Sequence, residues 1–196
     1  MKQKVTACLI VWKRQDNIPE IIKSLNRWSF INQIMILDNS KGKNIINYGR
    51  YLQAQRAEND LIYVQDDDCL VNNVDEIYDR FISDPTKICH AGINDYQKVI
   101  PENIYGKTQM AMLGWGAVFD RKWIGILDKY TDKYGKDYCF YRETDRIFTM
   151  LLNQHHNFVL GDIVSLKGER DQYALSQQKD HLYYKKLAIE RCLTLI

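Results

Sequence analysis

No hydrophobic run in this chain of 196 residues approaches membrane length, and no signal-peptide pattern opens it. Nor does an N-x-S/T sequon occur. These absences predict a cytoplasmic protein. The five cysteines, Cys8, Cys69, Cys89, Cys139 and Cys192, never form C-x-x-C. Their scatter and odd number argue against a disulfide framework or a zinc site, and predict buried thiols. Neither sign of charge dominates, with a formal net charge of +2. No nucleic-acid footprint and no acidic tail is implied. The glycine-rich phosphate loops are missing as well. There is no G-x-x-x-x-G-K-[ST], and the one G-x-G, Gly114-Trp115-Gly116, continues into Ala117-Val118-Phe119 without a third glycine. That disfavours a P-loop or dinucleotide-binding enzyme. A diphosphate would have to be met by metal and basic side chains instead.

What is present is an alternation. Residues 5–12 read as an apolar strand, and Asn17 as the cap of a helix that carries Pro19 in its first turn and runs to about Trp28. Strands follow at 33–37, 61–65 and 87–93, with helices at 44–57 and 74–82, the latter stopped near Asp84-Pro85. This β-α-β-α-β-α-β order predicts a mostly parallel sheet covered by helices. The second half is less regular. It offers strands at 110–119 and 158–164, helices at 121–130, 144–155 and 180–193, and a polar loop at 168–178. With no repeat, linker or low-complexity segment, 1–196 reads as one domain with a real core.

The most informative motif is Asp66-Asp67-Asp68, directly after the strand run Leu61-Ile62-Tyr63-Val64. Clustered carboxylates at a strand end repel one another and are costly to desolvate. A hard divalent cation, Mg²⁺ or Mn²⁺, resolves that conflict, using carboxylate oxygens plus water and substrate phosphates. In extended geometry Asp66 and Asp68 point one way and Asp67 the other. A solvated acidic turn is the alternative. Lys13-Arg14 follow the first strand and are candidates to neutralise a diphosphate, Arg by bidentate contacts. Asp38-Asn39 end the second strand, where they offer hydrogen bonds to a base or ribose, or form a plain Asx turn. Glu143 and Asp145 open a predicted helix, either as dipole-favoured capping groups or as catalytic carboxylates. His181 stands at the start of the last helix, and His155-His156 close an earlier one.

Together these residues resemble the small GT-A-type glycosyltransferases, most closely the exostosin-like family. Val11-Trp12-Lys13-Arg14 is similar to the family's T-Y-K-R, Asp38-Asn39 stands at its W-N-N, and Asp66-Asp67-Asp68 resembles its D-D-D. The segment from Gly116 to Trp123 is similar to its G-A-A-x-x-H-x-x-Y. Glu143-Thr144-Asp145 resembles its E-D, split here by Thr144. Ala174-Leu175-Ser176, His181 and Ile189-Glu190-Arg191-Cys192 resemble its closing A-L-S…H…C-I-N. The family's disulfide and membrane anchor have no evident counterpart. This looks like a minimal version.

The resemblance implies a GT-A α/β domain, with a nucleotide-binding half at 1–95 and an acceptor and catalytic half at 96–196. It implies metal-dependent transfer of a sugar from a UDP-sugar to a glycan or other acceptor hydroxyl, with retention. Asp68, Asp66 and His181 are the candidate ligands of Mn²⁺ or Mg²⁺. Lys13, Arg14, Asp38, Asn39, Asp66 and Asp67 are the candidate nucleotide-sugar contacts. Asp145 or Glu143 would serve the reaction centre, and 168–178 is a candidate lid. The chain could also be one part of a larger multidomain transferase. The alternatives are a sugar nucleotidyltransferase or pyrophosphatase, and a non-catalytic nucleotide- or glycan-binding domain.

Overall fold

Val5–Val11 forms β1, buried along almost its whole length, as a central strand covered on both faces must be. Its neighbours run parallel to it: β2 (Ile31–Asp38) on one side and β3 (Leu61–Gln65) on the other. The computed structural model describes residues 2–92, 110–153, 156–168 and 171–196. Within these, six strands form one sheet in the order β2-β1-β3-β6-β5-β7. β5 is Cys89–Gly92, β6 is Ala117–Asp120 and β7 is Asn157–Leu160. β6 is antiparallel to both β3 and β5, whereas β5 and β7 are parallel. The sheet is therefore mixed, with one reversed strand. A two-stranded antiparallel ribbon, β4 (Cys69–Val71) with β8 (Ile163–Ser165), lies beyond the carboxyl end of β3.

Helices cover both faces. Strand alternation sends Val5, Ala7, Leu9 and Tyr63 to one side, where they pack with Ile21 and Leu25 of α1 (Ile18–Leu25) and Ile77 and Phe81 of α3 (Val74–Ser83). Cys8, Ile62 and Val64 face the other side. There they meet Tyr51 of α2 (Tyr48–Ala54), Phe140 and Phe148 of α5 (Tyr138–Leu152) and Ala188 of α6 (His181–Leu193). α4 (Asp128–Tyr134) adds Tyr130 to this second core. All five cysteines are buried thiols.

The regular first half matches the expected elements closely, and the second half departs from them. The strand expected at 110–119 is confined to β6, because Leu113–Trp115 makes a 3-10 turn and Gly116 takes φ +99°. The helix expected at 121–130 is a 3-10 segment, Arg121–Leu127, leading into α4. The strand expected at 158–164 breaks at Gly161-Asp162 into β7 and β8, which join different sheets. Asn17 makes no side-chain cap on α1. Ile93, His155, Glu169, Arg170 and the 95/96 division lie outside the described residues. Among the described residues no helix is long and apolar enough to cross a membrane.

Candidate active site

The chain leaves β1 for β2 on one side and returns to β3 on the other, so a switch point lies at the carboxyl ends of these strands. Ligands of open α/β sheets bind there. Register brings the ends together: Val11 pairs with Asp38, and Leu9 with Gln65. They open into a cleft of about 610 Å³, floored by the aspartate triplet and walled by α5 and the segment before α6. That is the size of a small-molecule site.

The triplet occupies the turn between β3 and β4 and is held by its backbone. Asp66 N donates to Gly114 O at 2.8 Å, and Leu166 N donates to Asp68 O at 2.7 Å. Asn17 Nδ2 donates to Asp67 O at 2.8 Å and to Lys167 O at 2.9 Å. This explains why Asn17 caps nothing: its amide clamps the turn instead. Because the triplet is a turn, the two-residue alternation of a strand does not apply to it. Asp67 and Asp68 share Arg14, with Nη1 at 2.8 and 3.4 Å from their carboxylates. Asp66 turns to Arg50, whose Nη2 lies 2.5 Å from its Oδ1. Gly114 makes that possible, since a Cβ there would sit 2.1 Å from Asp66 Oδ2.

Arg14 also donates to Gly168 O at 2.7 Å and pairs with Asp171 at 3.1 Å. Burial raises the pKa of Asp67, against the pull of Arg14. Lys13 is exposed, with Nζ 5.1 Å from the Trp12 ring, and does not line the cleft. Asp38 also stands outside the lining. It accepts from Ser40 N and Oγ in an Asx turn, which lowers its pKa. Asn39 does line the cleft. It is buried, accepts from Ile45 N at 3.4 Å and donates to Ile46 O at 3.2 Å. It thereby holds Ile46 at φ +47°, a strained conformation for a β-branched residue.

Glu143 and Asp145 are not capping groups. α5 begins at Tyr138, and Asp137 caps it by accepting from Phe140 N at 2.9 Å. The two carboxylates sit inside the helix, which kinks at Glu143 (φ −105°, ψ 19°). Glu143 lies between Arg142 at 3.5 Å and Arg146 at 3.0 Å, with 7% of its side chain exposed. Asp145 keeps 20% and faces the cleft. It accepts from the Tyr51 hydroxyl at 2.9 Å and lies 3.5 Å from Arg50 Nη1. Burial pushes its pKa up to about 6, against the attraction of Arg50, and the charge of Asp66 adds to the rise.

Arg50 is the residue the sequence reading missed. It is fully buried in α2 and joins Asp66 to Asp145, and its Nε and Nη1 have no hydrogen-bond partner among the described residues. A signal was there: with Tyr51 and Ala54 it falls on the apolar stripe of the helix, where a cation is out of place. Arg142 was missed likewise. It too is fully buried, donating to Leu175 O at 2.9 Å and to Gln178 Oε1, and pairing with Asp180 at 3.3 Å. It anchors the segment that carries His181, whose Nδ1 lies 3.5 Å from Arg142 Nη2. Burial and Lys185 lower the pKa of His181, which lines the cleft. Each carboxylate of this group thus has an arginine within 3.5 Å. No three His, Cys, Asp or Glu side chains among the described residues converge so as to hold a metal ion by themselves.

No family model and no curated protein matches the chain. Solved structures do. The mannosyltransferase PcManGT from Pyrobaculum calidifontis, in complex with GDP-Man and Mn²⁺, has TM-score 0.57 and 10% identity over 100% of this chain and 74% of that one. S. aureus TarS with UDP-GlcNAc has TM-score 0.58 and 12% identity, covering 98% and 67%. Glucosyl-3-phosphoglycerate synthase from Mycobacterium tuberculosis, with Mn²⁺, UDP-Glc and phosphoglyceric acid, has TM-score 0.56 and 10% identity, covering 97% and 80%. Identities this low show the fold alone, and they do not single out the exostosin-like family. The chain has the α/β fold of the GT-A glycosyltransferases, a mixed central sheet flanked by helices.

Proposed function

We propose that this chain transfers a sugar from a nucleoside-diphosphate sugar, a UDP-sugar first, to an acceptor hydroxyl. One observation carries the reading: Asp145 and Asp66, which both line a cleft at the switch point of the sheet, meet on the buried guanidinium of Arg50 beneath it. The solved structures of this fold named above contain GDP-Man, UDP-GlcNAc and UDP-Glc, which supports a nucleotide-sugar donor. The motif order that resembles the exostosin-like family supports UDP and retention.

The donor set suits a hard cation. Mg²⁺ or Mn²⁺ needs only one or two carboxylates when phosphate and water complete its shell, so a third protein ligand is not required. Asp68, the loosest of the three Arg14 pairs, would hold the ion together with Asp66, and His181 is the one imidazole lining the cleft among the described residues. When bound, the ion supplies Lewis-acid stabilisation of the departing diphosphate. Arg14 would share that charge, and Asn39 would hydrogen-bond the nucleoside. Asp145 is the better candidate than Glu143 for the reacting sugar. It is the more exposed of the two, whereas Glu143 is held between two arginines. As a carboxylate it stabilises oxocarbenium character at the anomeric carbon.

The test is a panel of UDP-sugars and GDP-Man with Mn²⁺ or EDTA. UDP or GDP release is expected with Mn²⁺ alone, and lost in Asp68→Asn. The anomeric configuration of the product, read by NMR, decides retention. Release of UMP or pyrophosphate would reassign the site to nucleotidyl chemistry. No turnover, with UDP affinity unaffected by metal, would leave a binding module.

A further inference from the structure

We infer that Tyr138, on the rim of the cleft, and the Tyr184–Tyr183 pair packed beside it form a saccharide subsite, holding the sugar ring that precedes the accepting one in an oligosaccharide acceptor. The inference rests on the proposed sugar transfer, and it commits the acceptor to a class: a chain of at least two sugar rings. Tyr138 is 46% exposed although it lines the cleft. Tyr183, in the first turn of α6, is 63% exposed. Tyr184 joins them, with its ring 5.0 Å from that of Tyr138 and 5.1 Å from that of Tyr183, both near perpendicular. It is itself backed by the Arg142 guanidinium, 5.5 Å from the ring. Three rings therefore make a fixed aromatic wall with two exposed members.

An aromatic face against open solvent is a poor ending for a core and a good platform for the C–H face of a pyranose, which offers weakly positive hydrogens to the negative π surface. Position argues the same. Tyr138, Arg142 and Asp145 all line the cleft, Tyr138 and Arg142 one turn apart before the kink at Glu143 and Asp145 just after it. Seven residues of regular helix rise about 10 Å, and the Tyr138–Asp145 separation is of that order before the bend at Glu143 is allowed for. That is the reach of a disaccharide, and a single ring does not cover it. With the accepting hydroxyl near Asp145, the preceding ring arrives at Tyr138. Gln178 and His181 line the stretch between as polar contacts.

The experiment has a binding arm and a kinetic arm. In the first, saturation-transfer NMR is run with methyl glycosides of mono- and disaccharides (glucosides, galactosides, N-acetylglucosaminides) in the presence of UDP and Mn²⁺. At least one disaccharide should receive saturation. The effect should vanish in the Tyr138→Ala/Tyr183→Ala double variant and return in Tyr138→Phe/Tyr183→Phe. UDP affinity reports that the fold is intact. In the second arm, Tyr138→Ala should raise the KM for that disaccharide about tenfold with little change in kcat. The KM for the matching monosaccharide should stay in place. Three results overturn the inference: no disaccharide binding in the wild type, equal losses for mono- and disaccharide, or no loss in either variant. Loss of self-association or of vesicle binding in the double variant, without a saccharide effect, assigns the wall to another partner and overturns it too. Failure of the sugar-transfer reading shows separately, as absence of nucleotide release in the donor panel while saccharide binding persists.

Discussion

Asp145 is held between a buried guanidinium and a buried phenol, and it carries a charge at a cost. Its pKa is pushed up to about 6, from an ordinary 3.8. Between those values the folded state holds the proton more tightly than the unfolded chain. Stability therefore falls as pH rises through this window and is level above it, by a total of about 3 kcal/mol. Asp145→Asn removes the penalty. The variant should be more stable than wild type at pH 7, with the difference closing toward pH 4 in urea melts. If the carboxylate serves the reaction, the same variant loses at least about a hundredfold in turnover. Wild-type turnover should then rise with pH through about 6, as Asp145 ionises. A wild-type rate flat between pH 5 and 8 would remove Asp145 from the chemistry. The acidic residues of the site were legible in the sequence because carboxylates clustered after an apolar strand are conspicuous. Arg50 and Arg142 were not, because apart from Glu143 beside Arg142 their partners are met only across the fold.

At the scale of elements, the small loops decide where the charges go. Gly114 lies in the G-x-G that lacks a third glycine, and its part is to leave room for the Asp66 carboxylate. Gly114→Ala should cost about 1–3 kcal/mol by overpacking. It should also break the Asp66–Arg50 pair, which calorimetry would register as weaker metal-dependent binding of UDP. A variant with wild-type stability and affinity would mean that the loop yields freely. β1, β2, β3, α1 and α3 were readable because each carries a clear apolar period and a clean stop, as at Asp84-Pro85. The β4–β8 ribbon was not, since three-residue strands have no period to read. α5 was placed too late because its first turn, from Tyr138, carries no strong helix signal. Only the geometry shows that Asp137 is the cap.

The six-stranded sheet interleaves the two halves of the chain. β6 from the second half pairs with β3 and β5 of the first, and β7 pairs with β5. Neither half closes the sheet alone. One cooperative unit is the proposal that follows, and its test is urea unfolding followed by tryptophan fluorescence and far-UV circular dichroism. A single coincident transition is expected. Two separated transitions would divide the chain into independent units. The order of strands was beyond the sequence: alternation announced a parallel sheet, but nothing local marks β6 as the strand that runs backwards.

The Lys and Arg side chains lining the cleft among the described residues are all arginines, Arg14, Arg142 and Arg146, while Lys13 is not part of the lining. This choice gives the site a distinct chemical signature. Reagents that consume primary amines, such as reductive methylation or acetylation, should leave nucleotide binding nearly untouched. Phenylglyoxal, which attacks guanidinium groups, should abolish it, and bound UDP with Mn²⁺ should slow that loss by covering Arg14. Inactivation by amine reagents at a rate matching phenylglyoxal would reveal a lysine at the centre of the site.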